Sequence, residues 1–105
     1  MVELAVGKLA ADTLLLDVRE VTLIADCFII CTGSTDRQVQ AICDEVSERL
    51  KEKGVKPLSI EGEAASGWVL MDYSSVILHI FTPTVRRYYD LEGFWSKAKT
   101  LVRVE

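Results

Sequence analysis

Short runs of consecutive apolar residues recur along the chain and indicate buried β-strands. These runs are rich in β-branched and aromatic side chains and lie at Leu14–Val18, Cys27–Thr32, Trp68–Tyr73 and Val76–Phe81. A further strand is expected at Val55–Glu61. The last two of the apolar runs are apolar at nearly every position, so we expect the sheet that they enter to be covered on both faces. Because only Ser74-Ser75 separates them, the pair is typical of a β-hairpin.

One longer stretch has helical periodicity and predicts an α-helix at residues 36–53. Thr35 can cap its amino end, and Gln38 can reach back toward the cap. The apolar residues fall on one stripe that is spaced for packing on a sheet: Val39, Ile42, Cys43, Val46 and Leu50. Gly54 and Pro57 are stop signals that agree on where the helix ends.

Two further helices are expected near the ends of the chain. Apolar residues between Val2 and Ala10 follow helical spacing, and Pro83 ends the last strand before a segment of one or two turns. The predicted order is helix, strand, strand, helix, strand, strand, strand, helix. A strand, helix, strand succession favours a parallel crossover and the hairpin adds an antiparallel pair, so we expect an α/β fold with a mixed sheet.

Length and composition favour a single domain that spans residues 1–105. No apolar run approaches the roughly 20 residues of a membrane span, and the start lacks the pattern of a secretory signal or transit peptide. The three cysteines, Cys27, Cys31 and Cys43, are an odd number in apolar settings, without the spacing of a metal site. We therefore expect a soluble protein of a reducing, intracellular compartment.

The distribution of charge indicates the class of partner. A net charge of −4 disfavours a protein that mainly grips phosphate backbones, because that affinity comes from clustered Lys and Arg. From Pro57 to Val85 there is no Lys or Arg, whereas Glu61, Glu63 and Asp72 are acidic. The hairpin region should therefore present an acidic or apolar face, which suits a basic protein better than RNA.

The Gly33-Ser34-Thr35 stretch is the best candidate for a nucleotide-binding or nucleotidyltransferase-like site. It ends a strand and opens a helix, where free backbone N–H groups can receive a phosphate. The alternative is an ordinary turn and helix cap, and neither G-x-G-x-x-G nor the Walker lysine pattern is present. Metal-dependent nucleotidyl transfer needs carboxylates on adjacent strand positions, but Asp44-Glu45 lies within the predicted helix. We therefore expect no metal, no cofactor and no catalytic residues.

Other distinctive side chains have a structural and a functional interpretation. His79, in an apolar strand, is more often a hydrogen-bonded core residue than a base, and Cys31 should be inert because burial raises a thiol pKa. Asp72 must lie at an edge, in a pair or at an interface, and we favour the interface. Tyr88 and Tyr89, beside two arginines, are typical of interaction hot spots, although closure of a small core explains them nearly as well.

Several segments between Asp12 and Trp95 form an ordered set of motifs. They are Ala25–Ser34, Asp36–Val39, Glu61–Glu63, Trp68–Tyr73, Val76–Phe81 and Arg86–Glu92, followed by Trp95. Together they resemble the Iojap family, the ribosomal silencing factors called RsfS. Because the whole set occurs in order, this resemblance is more specific than any one motif.

The resemblance implies a mixed five-stranded α/β sheet with helices packed on it, similar to nucleotidyltransferases but without their catalytic carboxylates. It also implies a ribosome-binding protein, not an enzyme, in the bacterial cytoplasm, or in an organelle matrix if the chain is a processed form. Family members bind the large ribosomal subunit through its protein numbered fourteen and hinder subunit joining, which represses translation.

By this resemblance we expect no membrane partner and little direct contact with nucleic acid, and a homodimer of the free protein remains open. The motif positions carried over as partner-binding residues are Trp68, Asp72, His79, Tyr88, Tyr89 and Leu91.

Overall fold

The computed structural model describes residues 11–23, 25–94 and 97–104. The strands are β1 (Ala11–Asp17), β2 (Cys27–Thr32), β3 (Ser59–Glu63), β4 (Trp68–Asp72), β5 (Val76–Phe81) and β6 (Lys99–Val104). The helices are α1 (Asp36–Glu52), α2 (Pro83–Tyr89) and α3 (Leu91–Phe94), and a 3₁₀ turn at Ala64–Ser66 joins β3 to β4. The helix predicted between Val2 and Ala10 lies outside the described residues. No helix within the described ranges is long and apolar enough to cross a membrane.

Helix α1 confirms the predicted central helix at both of its ends. Thr35 Oγ1 accepts a hydrogen bond from the Gln38 N–H at 3.1 Å, and the Gln38 side chain reaches back to accept from the Ser34 N–H at 2.9 Å. Beyond the carboxyl end, Gly54 adopts φ = 80° and its N–H donates to the Lys51 carbonyl. The helix is therefore closed by local residues, as the capping signals indicated.

The strands form one mixed sheet in the order β3-β4-β5-β2-β1-β6. Strands β2 and β5 are parallel, and the other described pairs are antiparallel. The mixed α/β fold is thus confirmed, with one strand more than the five expected. Strand β6 escaped prediction because Lys99, Thr100 and Arg103 interrupt the apolar run that marks the other strands. It pairs with β1 at the sheet edge, where polar residues are common.

Strand β3 begins at Ser59, not at the predicted Val55. The segment between belongs to the closure of α1, because the Val55 N–H donates to the Leu50 carbonyl at 2.8 Å. Pro57 follows and has no N–H to give to a strand ladder. The apolar character of Val55 therefore reflects the helix end and not a strand.

Two apolar cores lie on opposite faces of the sheet. The core under α1 contains Ile29, Cys31, Val39, Ile42, Cys43, Val46, Leu50, Val69, Met71, Leu78 and Ile80. The core on the other face contains Leu14, Leu16, Val18, Ala25, Phe28, Ile30, Ile77 and Phe81, with Val85 of α2 and Leu91 of α3 at its border. The predicted apolar stripe of α1 is fully confirmed by its burial against the sheet.

The two cores confirm the expectation that the sheet is covered on both faces, but strand β4 is covered unequally. Val69 and Met71 point to the α1 side and are 2% and 0% exposed. Trp68, Leu70 and Asp72 point to the other side and are half-buried. The β3 residues opposite these three are half-buried or exposed. We call this surface of β3 and β4 the open face, and its members are Ser59, Glu61, Glu63, Trp68, Leu70 and Asp72.

Candidate functional site

The residues carried over from the resemblance do not form a single cluster. Trp68 and His79 lie on neighbouring strands, and Tyr89 of α2 packs onto Trp68. Asp72 lies at the other end of β4, beside the hairpin turn. Leu91 is half-buried at the border of the second core. The fold thus brings Trp68, His79 and Tyr89 together and leaves Asp72 apart.

An aromatic cluster connects the core on the face opposite α1 to the surface. Trp68 packs on Phe81 with ring centroids 5.1 Å apart and on Tyr89 with centroids 4.8 Å apart. Tyr88 meets Tyr89 edge to face at 5.1 Å. Tyr88 is 81% exposed and Tyr89 is 50% exposed, so the cluster ends in solvent. Exposed tyrosines beside a half-buried tryptophan have the composition of a protein-binding anchor.

His79 lies beneath Trp68 and is 5% exposed, so it belongs to the core side of the site. Its Nδ1 accepts a hydrogen bond from the Trp68 indole N–H, with 3.3 Å between the nitrogens. The ring proton is then on Nε2, which is buried and has no hydrogen-bond partner among the described residues. Burial lowers the pKa of His79 to about 4, so the ring is neutral near pH 7 and remains an acceptor. His79 therefore orients Trp68.

Asp72 organises the hairpin turn. Its Oδ1 accepts a hydrogen bond from the Ser74 N–H at 2.8 Å. Ser74 adopts φ = 74°, a left-handed conformation that costs most residues energy. Asp72 is half-buried, and this bond gives it a structural role in addition to any contact with a partner.

A groove of about 290 Å³ lies between the open face and α2. It is lined by Glu61, Gly62, Ser66, Trp68, Leu70 and Tyr89. Gly62 adopts φ = 84°, and a side chain there would collide with the Trp68 carbonyl oxygen. Gly62 and Leu70 line this groove but were not among the partner-binding residues predicted from the sequence. Leu70 is distinguished by the alternate burial of the strand, which the sequence does not show because the residues from Trp68 to Met71 are all apolar or aromatic.

The whole chain, residues 1–105, matches the family model described as Ribosomal silencing factor during starvation. The chain belongs to this family. The Bacillus subtilis Ribosomal silencing factor RsfS is 42% identical over 91 residues, which are 87% of this chain and 77% of that protein. A mouse relative named Mitochondrial assembly of ribosomal large subunit protein 1 is 30% identical over 74 residues, covering 68% of this chain and 32% of that protein. A crystal structure of a Chromobacterium violaceum protein has a TM-score of 0.82 at 36% identity and covers 95% of this chain and 88% of that one.

Helix α2 is fastened to the sheet by Arg86. Its guanidinium donates to Glu92 at 3.0 and 3.3 Å, to the Asp12 carbonyl at 2.6 Å and to Thr32 Oγ1 at 2.7 Å. The Arg86 side chain is 11% exposed, whereas Arg87 is exposed. The two arginines beside the tyrosines are typical of an interaction surface, but Arg86 is an internal clamp that ties α2 and α3 to β1 and β2.

The alternative site, Gly33-Ser34-Thr35, is filled by hydrogen bonds with side chains of the chain itself. Gln38 accepts from the Ser34 N–H and also contacts the Ser34 hydroxyl, and Thr35 caps the Gln38 N–H. Within the described residues no group of His, Cys, Asp and Glu is arranged to hold a metal ion. Cys31 is fully buried, and burial raises its pKa to about 12, as expected of an inert thiol. The geometry supports the turn-and-cap interpretation.

Proposed function

We propose that this protein binds the large ribosomal subunit through ribosomal protein fourteen and thereby blocks joining to the small subunit in the cytoplasm. Its membership of the ribosomal silencing factor family supports a silencing role at the ribosome. The name of the mouse relative refers to the large subunit, which favours that subunit as the partner. The mechanism is steric occupancy, so it requires a stable surface and sufficient affinity, and no chemical step.

The open face is the observation that carries this proposal. It places Glu61, Glu63 and Asp72 around half-buried Trp68 and Leu70, and no Lys or Arg occurs between Pro57 and Val85. Acidic and aromatic side chains in one patch complement a basic protein that also offers apolar contacts. The opposite side of β4 is closed by α1, so the open face is the surface of β4 that is available for docking.

A pair of matched substitutions tests this surface. Leu70→Arg adds a cation in the middle of the open face, while Ile60→Arg adds the same side chain on the α1 side of the neighbouring strand, where Ile60 is 47% exposed. We expect Leu70→Arg to weaken binding to purified large subunits by about 30-fold or more, because it removes an apolar contact and adds a repulsion. Ile60→Arg should change the affinity by less than about threefold.

Equilibrium binding of the labelled proteins and light scattering of subunit joining provide the two measurements. Circular dichroism should first show that both variants are folded. If Leu70→Arg blocks joining at the same concentrations as the unmodified protein, docking through the open face is refuted.

A further inference from the structure

We propose that the groove between the open face and α2 is a binding site for a single arginine side chain of the partner protein. This inference rests on the proposed function and specifies what the open face recognises. The site consists of two aromatic rings and one carboxylate, from Trp68, Tyr89 and Glu61, and the aliphatic side chain of Leu70 completes its apolar part.

The aromatic wall of the groove suits a flat cation. The Trp68 and Tyr89 rings have centroids 4.8 Å apart and planes tilted by 48°, so they form one continuous aromatic surface. Tyr89 is 50% exposed and Trp68 is half-buried, so part of each ring is available. A cation near the face of tryptophan or tyrosine is attracted by the ring quadrupole, and a guanidinium group also stacks on it.

Among the described residues, no cation neutralises the carboxylate of the groove. Glu61 is exposed and makes no side-chain hydrogen bond or ion pair with any other described residue. The buried cation of the neighbouring helix, Arg86, is already paired with Glu92. Glu61 lies directly opposite Leu70 in the ladder, which places its carboxylate on the same side of the sheet as the aromatic wall. The groove therefore offers an acid beside two rings, and the part of the chain that the structure describes supplies no cation for that acid.

Size and chemistry select arginine over other occupants. A volume of about 290 Å³ fits one long side chain, and it lies at the lower limit of the roughly 300–1,000 Å³ of small-molecule sites. The carboxylate disfavours phosphates and nucleotides. Lysine offers a compact, strongly hydrated charge that does not stack, whereas a guanidinium is planar, weakly hydrated and matches a carboxylate with two parallel N–H donors.

The first experiment uses amino-acid amides as probes and does not involve the ribosome. N-acetylarginine amide is titrated into the protein while the NMR signals of the Trp68 indole, the Tyr89 ring and the Gly62 amide are followed. N-acetylcitrulline amide, which has nearly the same shape but no charge, and N-acetyllysine amide are the matched controls. We expect saturable shifts with arginine in the millimolar range, at least about threefold weaker binding of lysine, and no saturable shift with citrulline. Equal shifts with all three probes would overturn the proposal.

The second experiment links the groove to the partner. Glu61→Gln removes the charge and keeps the shape, and Glu48→Gln makes the same change on the exposed outer side of α1. We expect Glu61→Gln to weaken the arginine-amide titration and the binding to large subunits by about three- to thirtyfold, and Glu48→Gln to change neither.

The outcomes distinguish a failure of the proposed function from a failure of the arginine site. If the unmodified protein does not bind large subunits but the arginine probe still saturates, the proposed function fails and the groove remains an arginine site. If subunits bind and Glu61→Gln has no effect on either titration, the arginine site fails and the proposed function stands. If the arginine comes from a second copy of this chain, Glu61→Gln changes the self-association measured by sedimentation and leaves subunit binding unchanged, which also overturns the assignment to the partner.

Discussion

At the scale of single residues, His79 orients the Trp68 side chain but lowers the free energy of unfolding of the protein. It lies among apolar and aromatic neighbours, 5.2 Å from the Phe28 ring and 6.1 Å from the Phe81 ring between centroids. A buried ring N–H without a hydrogen-bond partner among the described residues is destabilising. Its ring accepts a hydrogen bond from Trp68, so the contribution of His79 is to hold that indole in place at the edge of the groove.

The substitution His79→Phe tests whether the pKa of His79 is lowered in the folded protein. The pKa of His79 is about 4 in the folded protein and about 6.5 in an unfolded chain. Between these values the unfolded state binds more protons, so the free energy of unfolding falls as the pH is lowered through this window and is level above it. In His79→Phe this contribution is absent.

Urea denaturation of both proteins between about pH 4 and pH 7 measures the effect. The free energy of unfolding of His79→Phe minus that of the unmodified protein should rise toward acid pH by up to about 3 kcal/mol. The carboxylates that also titrate in this window are common to both proteins and cancel in the difference. A difference that does not change with pH would show that His79 titrates normally.

At the scale of elements, the two larger helices depend on different levels of structure. Helix α1 has 17 residues, caps at both ends and an apolar stripe, so local sequence and packing agree. Helix α2 has 7 residues, no side-chain hydrogen bond at its cap and no fully buried residue. An isolated helix of that length is marginal in water. Its position, and with it that of Tyr89, therefore depends on Arg86 and on the packing of Tyr89 against Trp68.

The Arg86 clamp can be tested with a substitution that keeps the charge. A lysine at this position cannot contact Glu92, Thr32 and the Asp12 carbonyl together, because an ammonium lacks the fork of a guanidinium. We expect Arg86→Lys to lower the free energy of unfolding by about 1–3 kcal/mol. The same change at the exposed neighbour, Arg87→Lys, should stay within about 0.5 kcal/mol. Equal urea midpoints for the two variants would argue against the clamp.

The orientation of α1 is tested by two acidic substitutions on adjacent residues. Val46 is 0% exposed and faces the sheet, whereas Ser47 lies in a shallow surface depression on the outer side of the helix. Val46→Asp should destabilise the protein by several kcal/mol, which is comparable to a total stability of about 5–15 kcal/mol. Ser47→Asp should melt within a few degrees of the unmodified protein. Similar melting of the two variants would contradict the observed register.

At the scale of the whole molecule, one face of the sheet is closed by α1 and part of the other is open around β3 and β4. The sequence predicted five of the six strands, but it did not show that one side of β4 is only partly covered. A hydrophobic pattern does not distinguish a tryptophan or leucine in a core from one that is partly exposed. The acidic stretch without cations was recognised from the sequence. Its grouping with Tyr89 into one groove was not, because α2 and β3 are far apart in the chain.

Local interactions therefore determined what the sequence could reveal by itself: the caps and stripe of α1, the strand runs and the inert Cys31. These depend on neighbours within a few residues or on the apolar character of a whole run. The sixth strand, the internal role of Arg86 and the exposure of one side of β4 were decided by the tertiary structure alone. Each depends on contacts between residues distant in the chain, such as Arg86 with Asp12 and Thr32, and no local periodicity encodes which segments meet.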